Sequence, residues 1–126
     1  LMSTARIAYI AALEDGRPEM PSKEIIYAAA LLHDIGRAME YSYGTPHNTA
    51  GALIAKEILK RAGFSEDETL LIASAISGHR EEGACGGDHL SDILYRADKA
   101  SRQCFRCEAS GTCKWSDEKK NMLIKW

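Results

Sequence analysis

An apolar run that ends in an adjacent histidine and aspartate is the most informative part of the chain: Ile25-Ile26-Tyr27-Ala28-Ala29-Ala30-Leu31-Leu32-His33-Asp34-Ile35-Gly36-Arg37. The run predicts a buried helix with Ser22 as its N-cap and with His33 and Asp34 at its C-terminal end. An imidazole and a carboxylate carried into the interior need a partner, because an unpaired buried charge costs several kcal/mol. A divalent metal ion would be such a partner.

Length and composition indicate one globular domain over residues 1–126, with a cysteine-containing segment at about 104–126. The chain has 126 residues, of which 45% are hydrophobic, so it can bury a core without disulfides. The net charge of -2 argues against binding a nucleic acid polymer, which normally requires a basic face. The apolar stretch at 7–13 is too short to span a bilayer. We therefore expect a cytoplasmic protein with no membrane partner, and a homo-oligomer is an open alternative.

Apolar residues recur at helical spacing throughout the chain, and no segment alternates as a half-buried strand would. The pattern predicts an all-α fold, a compact helical bundle around a central metal site. Helices are expected at about 3–13, 22–34, 47–63, 66–78, 91–102 and 116–126, with a loop at 41–46. Ser65 and Glu68 have the spacing of a capping box. Leu53, Ile54 and Ile58 are expected to form the inner face of the helix that begins at His47.

Five residues at helix ends or on inward faces are candidate metal ligands: His33, Asp34, His47, His79 and Asp98. His79 continues the apolar stripe of Ile72 and Ile76, and Asp98 follows Leu94 by one helical turn. A set of imidazoles and carboxylates suits Mn, Fe or Zn, with Mg less well suited. Each residue also has an ordinary structural explanation: a hydrogen-bonded core histidine, a solvated helix cap or a surface ion pair. His89, in a predicted loop, is expected to be solvated.

Four segments, in this order and spacing, resemble the motifs of the HD-domain metal-dependent phosphohydrolases: Leu31-Leu32-His33-Asp34-Ile35-Gly36-Arg37, His47 with Gly51-Ala52, Ala75-Ile76-Ser77-Gly78-His79, and Ile93-Leu94-Tyr95-Arg96-Ala97-Asp98-Lys99. The resemblance implies an all-helical metal site in which His33, Asp34 and Asp98 bind the first ion. His47 and His79 match the extra histidines of the subset that holds two ions, with Asp34 as the bridge.

One family feature is missing from the front of the chain. Family members carry a further metal-binding histidine on the first helix, but no histidine precedes His33 here. Because the chain begins with Leu1 and not with Met, one expectation is that this ligand lies upstream. The other is that the first metal site is incomplete and the domain is degenerate.

The chemistry expected of this site is cleavage of a phosphate ester. Two divalent ions outweigh the charge of two carboxylates, so the site would attract a phosphate and activate a water molecule against it. The expected substrate is small, a nucleotide or a related phosphometabolite. Catalytic roles fall to Asp34, Arg37 and Arg80, and Arg37, Arg80 and Lys99 would bind substrate, unless these basic residues are simply solvated. A di-iron oxygenase and a degenerate, non-catalytic metal-binding sensor are the alternatives.

A cysteine cluster follows the predicted fifth helix. Cys104, Cys107 and Cys113 are close in sequence, and Cys85 lies in a preceding glycine-rich segment. Two thiolates three residues apart can bind one ion, so the cluster predicts a Zn site or an Fe-S cluster. Free cysteines or a redox-active pair are the alternatives.

Overall fold

The computed structural model describes residues 1–79 and 89–124. These residues form six α-helices: α1 (Met2–Asp15), α2 (Lys23–Leu32), α3 (Arg37–Tyr43), α4 (His47–Arg61), α5 (Glu66–Gly78) and α6 (His89–Ala100). Three short 3-10 turns follow, at Cys104–Arg106, Glu108–Thr112 and Asp117–Lys119. No strand occurs in the described part of the chain, which confirms the predicted all-α fold. None of the described helices is long and apolar enough to cross a membrane.

The predicted helix starts are present where side-chain caps were expected. The Ser22 hydroxyl accepts a hydrogen bond from the Ile25 backbone N–H at 3.4 Å, and α2 begins at Lys23, directly after Ser22. Ser65 and Glu68 form both bonds of a capping box at the start of α5. These bonds satisfy backbone N–H groups that have no partner within the helix, so the local sequence is sufficient to place both starts.

The core is built from five helices, whose inward residues are mostly alanine, isoleucine and leucine. Helix α1 packs on α2 and α6, and α5 packs on α2, α4 and α6. Ala5, Ala8 and Ala12 of α1 are almost fully buried, as are Ile72 and Ile76 of α5. Alanine side chains allow helix axes to approach closely. The C-terminal ends of α2 and α5 and the start of α4 therefore meet in a small space.

Two glycines permit a close approach of backbone segments near the ends of α2 and α4. A Cβ atom added at Gly36 would collide with the carbonyl oxygen of His47 and would lie 2.5 Å from the backbone nitrogen of Gly51. Gly51 also faces the carbonyl oxygen of His33. Only a residue without a side chain fits at Gly36. Because glycine has no Cβ atom, the turn after α2 can pack directly against the first turn of α4.

The structure corrects two predictions about the middle of the chain. Residues 41–46 were expected to form a loop, but α3 continues to Tyr43 and ends where Gly44 adopts a φ of 71°. The expected inner face of α4 was also wrong, because Leu53 is 64% exposed and Ile58 is 38% exposed. Helix α4 instead turns small residues toward its neighbours, and Leu59 is its largest fully buried side chain.

Two further corrections concern later segments. The predicted terminal helix at 116–126 is wrong, because residues 117–119 form only a 3-10 turn and Lys120 has an extended backbone. The Asn121 side chain bonds to backbone carbonyls at the end of α6 and holds the segment against that helix. His89 is not a solvated loop residue: it is the first residue of α6, and its imidazole pairs with the Asp15 carboxylate.

Candidate metal centre

The five predicted ligand residues converge where four helices meet. His33 ends α2 and Asp34 follows it, His47 opens α4, His79 ends α5, and Asp98 lies on α6. The three imidazoles are buried, with 2 to 5% of each residue exposed, whereas the two carboxylates are partly open to solvent. Side chains from distant parts of the sequence thus form one polar cluster with an open side.

Asp34 lies between two histidines and presents one oxygen to each. Its Oδ2 is 3.6 Å from Nε2 of His33, and its Oδ1 is 3.5 Å from Nε2 of His47. His33 Nε2 is also 3.5 Å from Oδ1 of Asp98. The His79 ring centroid is 5.2 Å from that of His33 and 5.3 Å from that of His47. Asp34 therefore lies within about 3.6 Å of both His33 and His47, one through each carboxylate oxygen.

Hydrogen bonds orient each of the three imidazoles. Nδ1 of His33 donates to the Ala30 carbonyl at 2.8 Å, and Nδ1 of His79 donates to the Ile76 carbonyl at 2.6 Å. Nδ1 of His47 donates to the carboxylate of Glu40 at 2.8 Å. When Nδ1 carries the proton of a neutral imidazole, Nε2 is left as a lone-pair donor directed at the centre of the cluster. Partners of this kind are typical of metal-binding histidines.

The residues fit a metal ion. Nε2 of His33 is a buried polar atom with no hydrogen-bond partner, although two carboxylates face it. Ligands about 2.0–2.2 Å from one ion lie roughly 3–3.5 Å from one another, and the Nε2 to carboxylate distances of 3.5 and 3.6 Å are close to that spacing. Ligand atoms of His33, Asp34 and His79 all lie within 4.8 Å of one another. The group could therefore hold a divalent metal, and imidazole with carboxylate does not specify which one.

The environment of the cluster shifts the pKa values of three of its side chains. Burial lowers the pKa of His33, but Asp98, the Ala30 carbonyl and Asp34 outweigh it and leave the pKa raised. Burial would raise the pKa of Asp98, yet His33 and Arg102 hold it far below its usual value. The pKa of His79 is lowered by burial and by the two neighbouring imidazoles. The lowered pKa of Asp98 keeps its carboxylate in the ionised form, which is the form that can bind a cation.

Basic side chains line the open side of the cluster. A cleft of about 230 Å³ is bordered by Arg37, His47, His79, Asp98, Lys99 and Arg102. Nε of Arg37 is 3.1 Å from Asp34, and a terminal nitrogen of Arg102 is 2.9 Å from Asp98. The structure therefore places two of the predicted substrate-binding residues, Arg37 and Lys99, at the cleft. The third, Arg80, lies outside the described residues.

Sequence reasoning missed two residues at this site. Glu40 orients His47, but it belongs to α3, a helix that the sequence analysis did not predict, and the seven-residue separation from His47 carried no signal. Arg102 follows Asp98 by four residues, a spacing that brings side chains together on a helix. The sequence analysis considered a surface ion pair only as the ordinary explanation of Asp98 and assigned Arg102 no role at the site.

The described cysteines do not form a second metal group. Cys104 is half-buried, Cys107 and Cys113 are exposed, and all three thiols are free. Among residues 1–79 and 89–124, the one group that meets the geometry for three metal ligands is that of His33, Asp34 and His79. Cys85 lies outside the described residues, so a Zn or Fe-S site that includes it stays a prediction.

The chain belongs to the HD domain family, whose model matches residues 1–103. A Clostridium beijerinckii protein described as an uncharacterized protein is 42% identical over 123 residues, which cover 98% of this chain and 75% of that protein. Bifunctional uridylyltransferase/uridylyl-removing enzymes of Rhodopseudomonas palustris and Erythrobacter litoralis are 40% and 38% identical over 57 and 61 residues. Those matches cover 45% and 48% of this chain but only 6% of each enzyme. No solved structure matches the chain.

Proposed function

We propose that this protein is a metal-dependent hydrolase of a small phosphate ester, a nucleotide or a related phosphometabolite. The single observation that carries the proposal is the buried Nε2 of His33, which makes no hydrogen bond and lies 3.6 and 3.5 Å from carboxylate oxygens of Asp34 and Asp98 at the base of a cleft with basic walls. A cation would pair with the carboxylates and imidazoles at the base of the cleft, and an anion would pair with the basic side chains at its rim. A phosphate ester next to a divalent ion meets both requirements.

The proposed ligands divide into two groups that share Asp34. His33, Asp34 and Asp98 would hold one ion, while His47 and His79, together with the other oxygen of Asp34, would hold a second. Bound divalent ions supply positive charge for phosphate oxygens and lower the pKa of water so that it becomes a nucleophile at neutral pH. Glu40 would act through His47 by fixing the direction of its ring.

Substrate contacts fall to the basic residues of the rim. Arg37 and Arg102 each hold a carboxylate of the cluster and leave part of the guanidinium exposed to the cleft. Guanidinium groups match the geometry of phosphate oxygens and retain their charge at all relevant pH values. Lys99 adds a third cation at the same cleft, and Arg80, which follows His79 in sequence, is proposed as a fourth.

The relatives are consistent with this chemistry. The uridylyl-removing enzymes are named for the removal of a uridylyl group, although the matches cover only a small part of those proteins. The basic rim favours hydrolysis of an anionic ester over the oxygenase alternative, because the oxidation of a neutral substrate requires no such cations. It also favours an active site over a sensor that binds metal alone.

The test combines metal analysis with turnover. Purified protein would be loaded with Mn, Fe, Zn or Mg, its metal content measured, and hydrolysis of 4-nitrophenyl phosphate, bis(4-nitrophenyl) phosphate and nucleoside monophosphates followed. We expect His33→Ala and Asp98→Asn to lower metal occupancy and to reduce kcat/KM by at least about a hundredfold. Each change removes a side chain that is proposed to bind the metal ion directly.

Asp92→Asn is the matched control, since Asp92 lies on the same helix and pairs with Arg96. It should leave both metal content and turnover unchanged. The hydrolase proposal would be abandoned if loaded protein cleaved none of these esters with any metal, or if Asp98→Asn remained fully active. Consumption of oxygen and oxidation of a substrate by the iron form, without hydrolysis, would support the oxygenase instead.

A further inference from the structure

A second and larger cavity adjoins the metal cleft. It has a volume of about 590 Å³ and lies between one face of α6 and residues 114–121 of the C-terminal segment. Lys99 lines both this cavity and the metal cleft. The two spaces are therefore neighbours that share one basic side chain, and a ligand bound in the cleft could extend into the larger cavity.

The C-terminal segment is held in place by a specific set of contacts. The buried Asn121 side chain donates from Nδ2 to the backbone carbonyls of Lys99 at 2.6 Å and Arg102 at 3.1 Å, with a longer bond to Ala100 at 3.3 Å. Carbonyls at a helix end have no partner within the helix, so these bonds serve as a C-terminal cap from a distant residue. The cavity wall is thus fixed to the helix that carries Asp98.

Trp115 links this wall to the cations of the metal cleft. The guanidinium carbon of Arg102 lies 4.5 Å from the centroid of the Trp115 ring, and Nζ of Lys99 lies 5.3 Å from it. Lys99 also lies 4.8 Å from the ring of Tyr95. Contacts between cations and aromatic faces are attractive and orient the charged group. Residues 104–124, which follow the part of the chain matched by the HD domain model, therefore position the rim of the site.

Basic side chains outnumber acidic ones in the lining of the larger cavity. Four basic residues line it, Arg96, Lys99, Lys114 and Lys119, together with one acidic residue, Glu118. Arg96 pairs with Asp92 outside the cavity lining. Lys99, Lys114 and Lys119 form no ion pair with a carboxylate of residues 1–79 or 89–124. Cations gathered around one concave surface create a field that favours an anion.

We propose that the cavity beside α6 is an anion subsite for a second negatively charged group of the substrate. This inference rests on the proposed function, which assigns the first phosphate to the metal cleft. The substrate would then be a phosphate ester with an anionic group at each end, and Lys114 and Lys119 would determine specificity. A second phosphate and a carboxylate share the required chemistry, and the experiment separates them.

The kinetic test compares substrates that differ only at the far end. Alkanediol bisphosphates of increasing length would be compared with the corresponding monophosphates and with carboxyalkyl phosphates. We expect kcat/KM for a bis-anionic ester of suitable length to exceed that of its monophosphate by on the order of ten- to a hundredfold, the usual effect of hydrogen bonds to a charged group. A preference among the bis-anionic esters identifies the second group as phosphate or carboxylate.

The variant for this test is Lys114→Ala/Lys119→Ala, and Lys60→Ala is the matched control. Lys114 and Lys119 are exposed, so their removal should not disturb folding, and Lys60 lies at the far end of α4. The double variant should lose most of the preference for bis-anionic esters while retaining its activity on monophosphates. Lys60→Ala should retain both. An unchanged preference in the double variant would overturn the subsite.

A binding measurement separates this inference from the proposed function. Alkane bisphosphonates, which resist hydrolysis, should change the fluorescence of Trp115, and Trp115→Phe identifies that signal against Trp126. If the protein hydrolyses monophosphates but shows neither preference nor binding at Lys114 and Lys119, the subsite is wrong and the hydrolase stands. If bisphosphonates bind through these lysines and no ester is cleaved, the anion site stands and the hydrolase fails.

Discussion

Replacement of Gly36 by alanine would place a methyl group inside the backbone contact between the turn after α2 and the start of α4. The new carbon would lie 2.5 Å from the nitrogen of Gly51 and 3.0 Å from its Cα, and closer still to the His47 carbonyl oxygen. Carbon atoms in contact are normally about 3.5–4.0 Å apart. Because all three neighbours are backbone atoms, no rotamer change relieves the overlap. The two segments must move apart by about 1 Å.

The expected cost follows from two opposing effects. Overpacking of a filled interior costs typically 1–3 kcal/mol, and the upper end applies because backbone atoms cannot yield easily. Gly36 has a φ of -78°, which alanine adopts without strain, so the lower entropy of the unfolded chain returns about 0.4–1 kcal/mol. We expect a net loss of about 2 kcal/mol in the free energy of unfolding. The separation also moves His47 away from Asp34, so metal affinity should fall.

The assay is urea denaturation followed by circular dichroism, together with a metal titration of each variant. Gly111→Ala is the matched control, because an added Cβ there meets no heavy atom within 4 Å and the backbone has no positive φ. Its stability should stay within about 0.5 kcal/mol of the original chain. If Gly36→Ala proved as stable as Gly111→Ala and bound metal equally well, the account of how α4 is brought to the site would be refuted.

Three further changes test contacts around the bundle. Glu40→Gln should weaken metal binding by about 10- to 100-fold in a chelator competition, because the carboxylate that orients His47 is lost; an unchanged affinity would count against that role. Ser65→Ala should lower the free energy of unfolding by about 1 kcal/mol in urea denaturation. Hydrogen bonds from the Ser65 backbone and hydroxyl lower the pKa of Glu68 in the folded protein. The stability that the ionised Glu68 carboxylate contributes is therefore fully present above pH 4.5 and is lost as the pH falls through the lowered pKa of the folded state. Asn121→Ala should cost about 1–3 kcal/mol and make the C-terminal segment sensitive to limited proteolysis, and resistance equal to that of the original chain would contradict its capping of α6.

The sequence alone was sufficient for features that depend on short-range chemistry. A hydroxyl at the first residue of a helix satisfies a nearby backbone N–H group wherever the helix is placed, so Ser22 and Ser65 identified two helix starts. Helical spacing also placed His79 and Asp98 on the faces that carry Ile76 and Leu94. For this reason the order of motifs was enough to anticipate which side chains converge, while their role as metal ligands belongs to the proposed function.

Only the tertiary structure decided what depends on how closely segments approach. The inward face of α4 carries Ala50, Gly51, Ala55 and Leu59 and not Leu53 or Ile58, and the backbone contact at Gly36 requires a small residue at Gly51. The pairing of Glu40 with His47 arises from the position of α3 against α4. The second cavity lies between α6 and a C-terminal segment whose Asn121 bonds to the end of that helix. Hydrophobicity and spacing describe each segment separately, whereas these contacts depend on the distance between segments, which the packing of the whole chain sets.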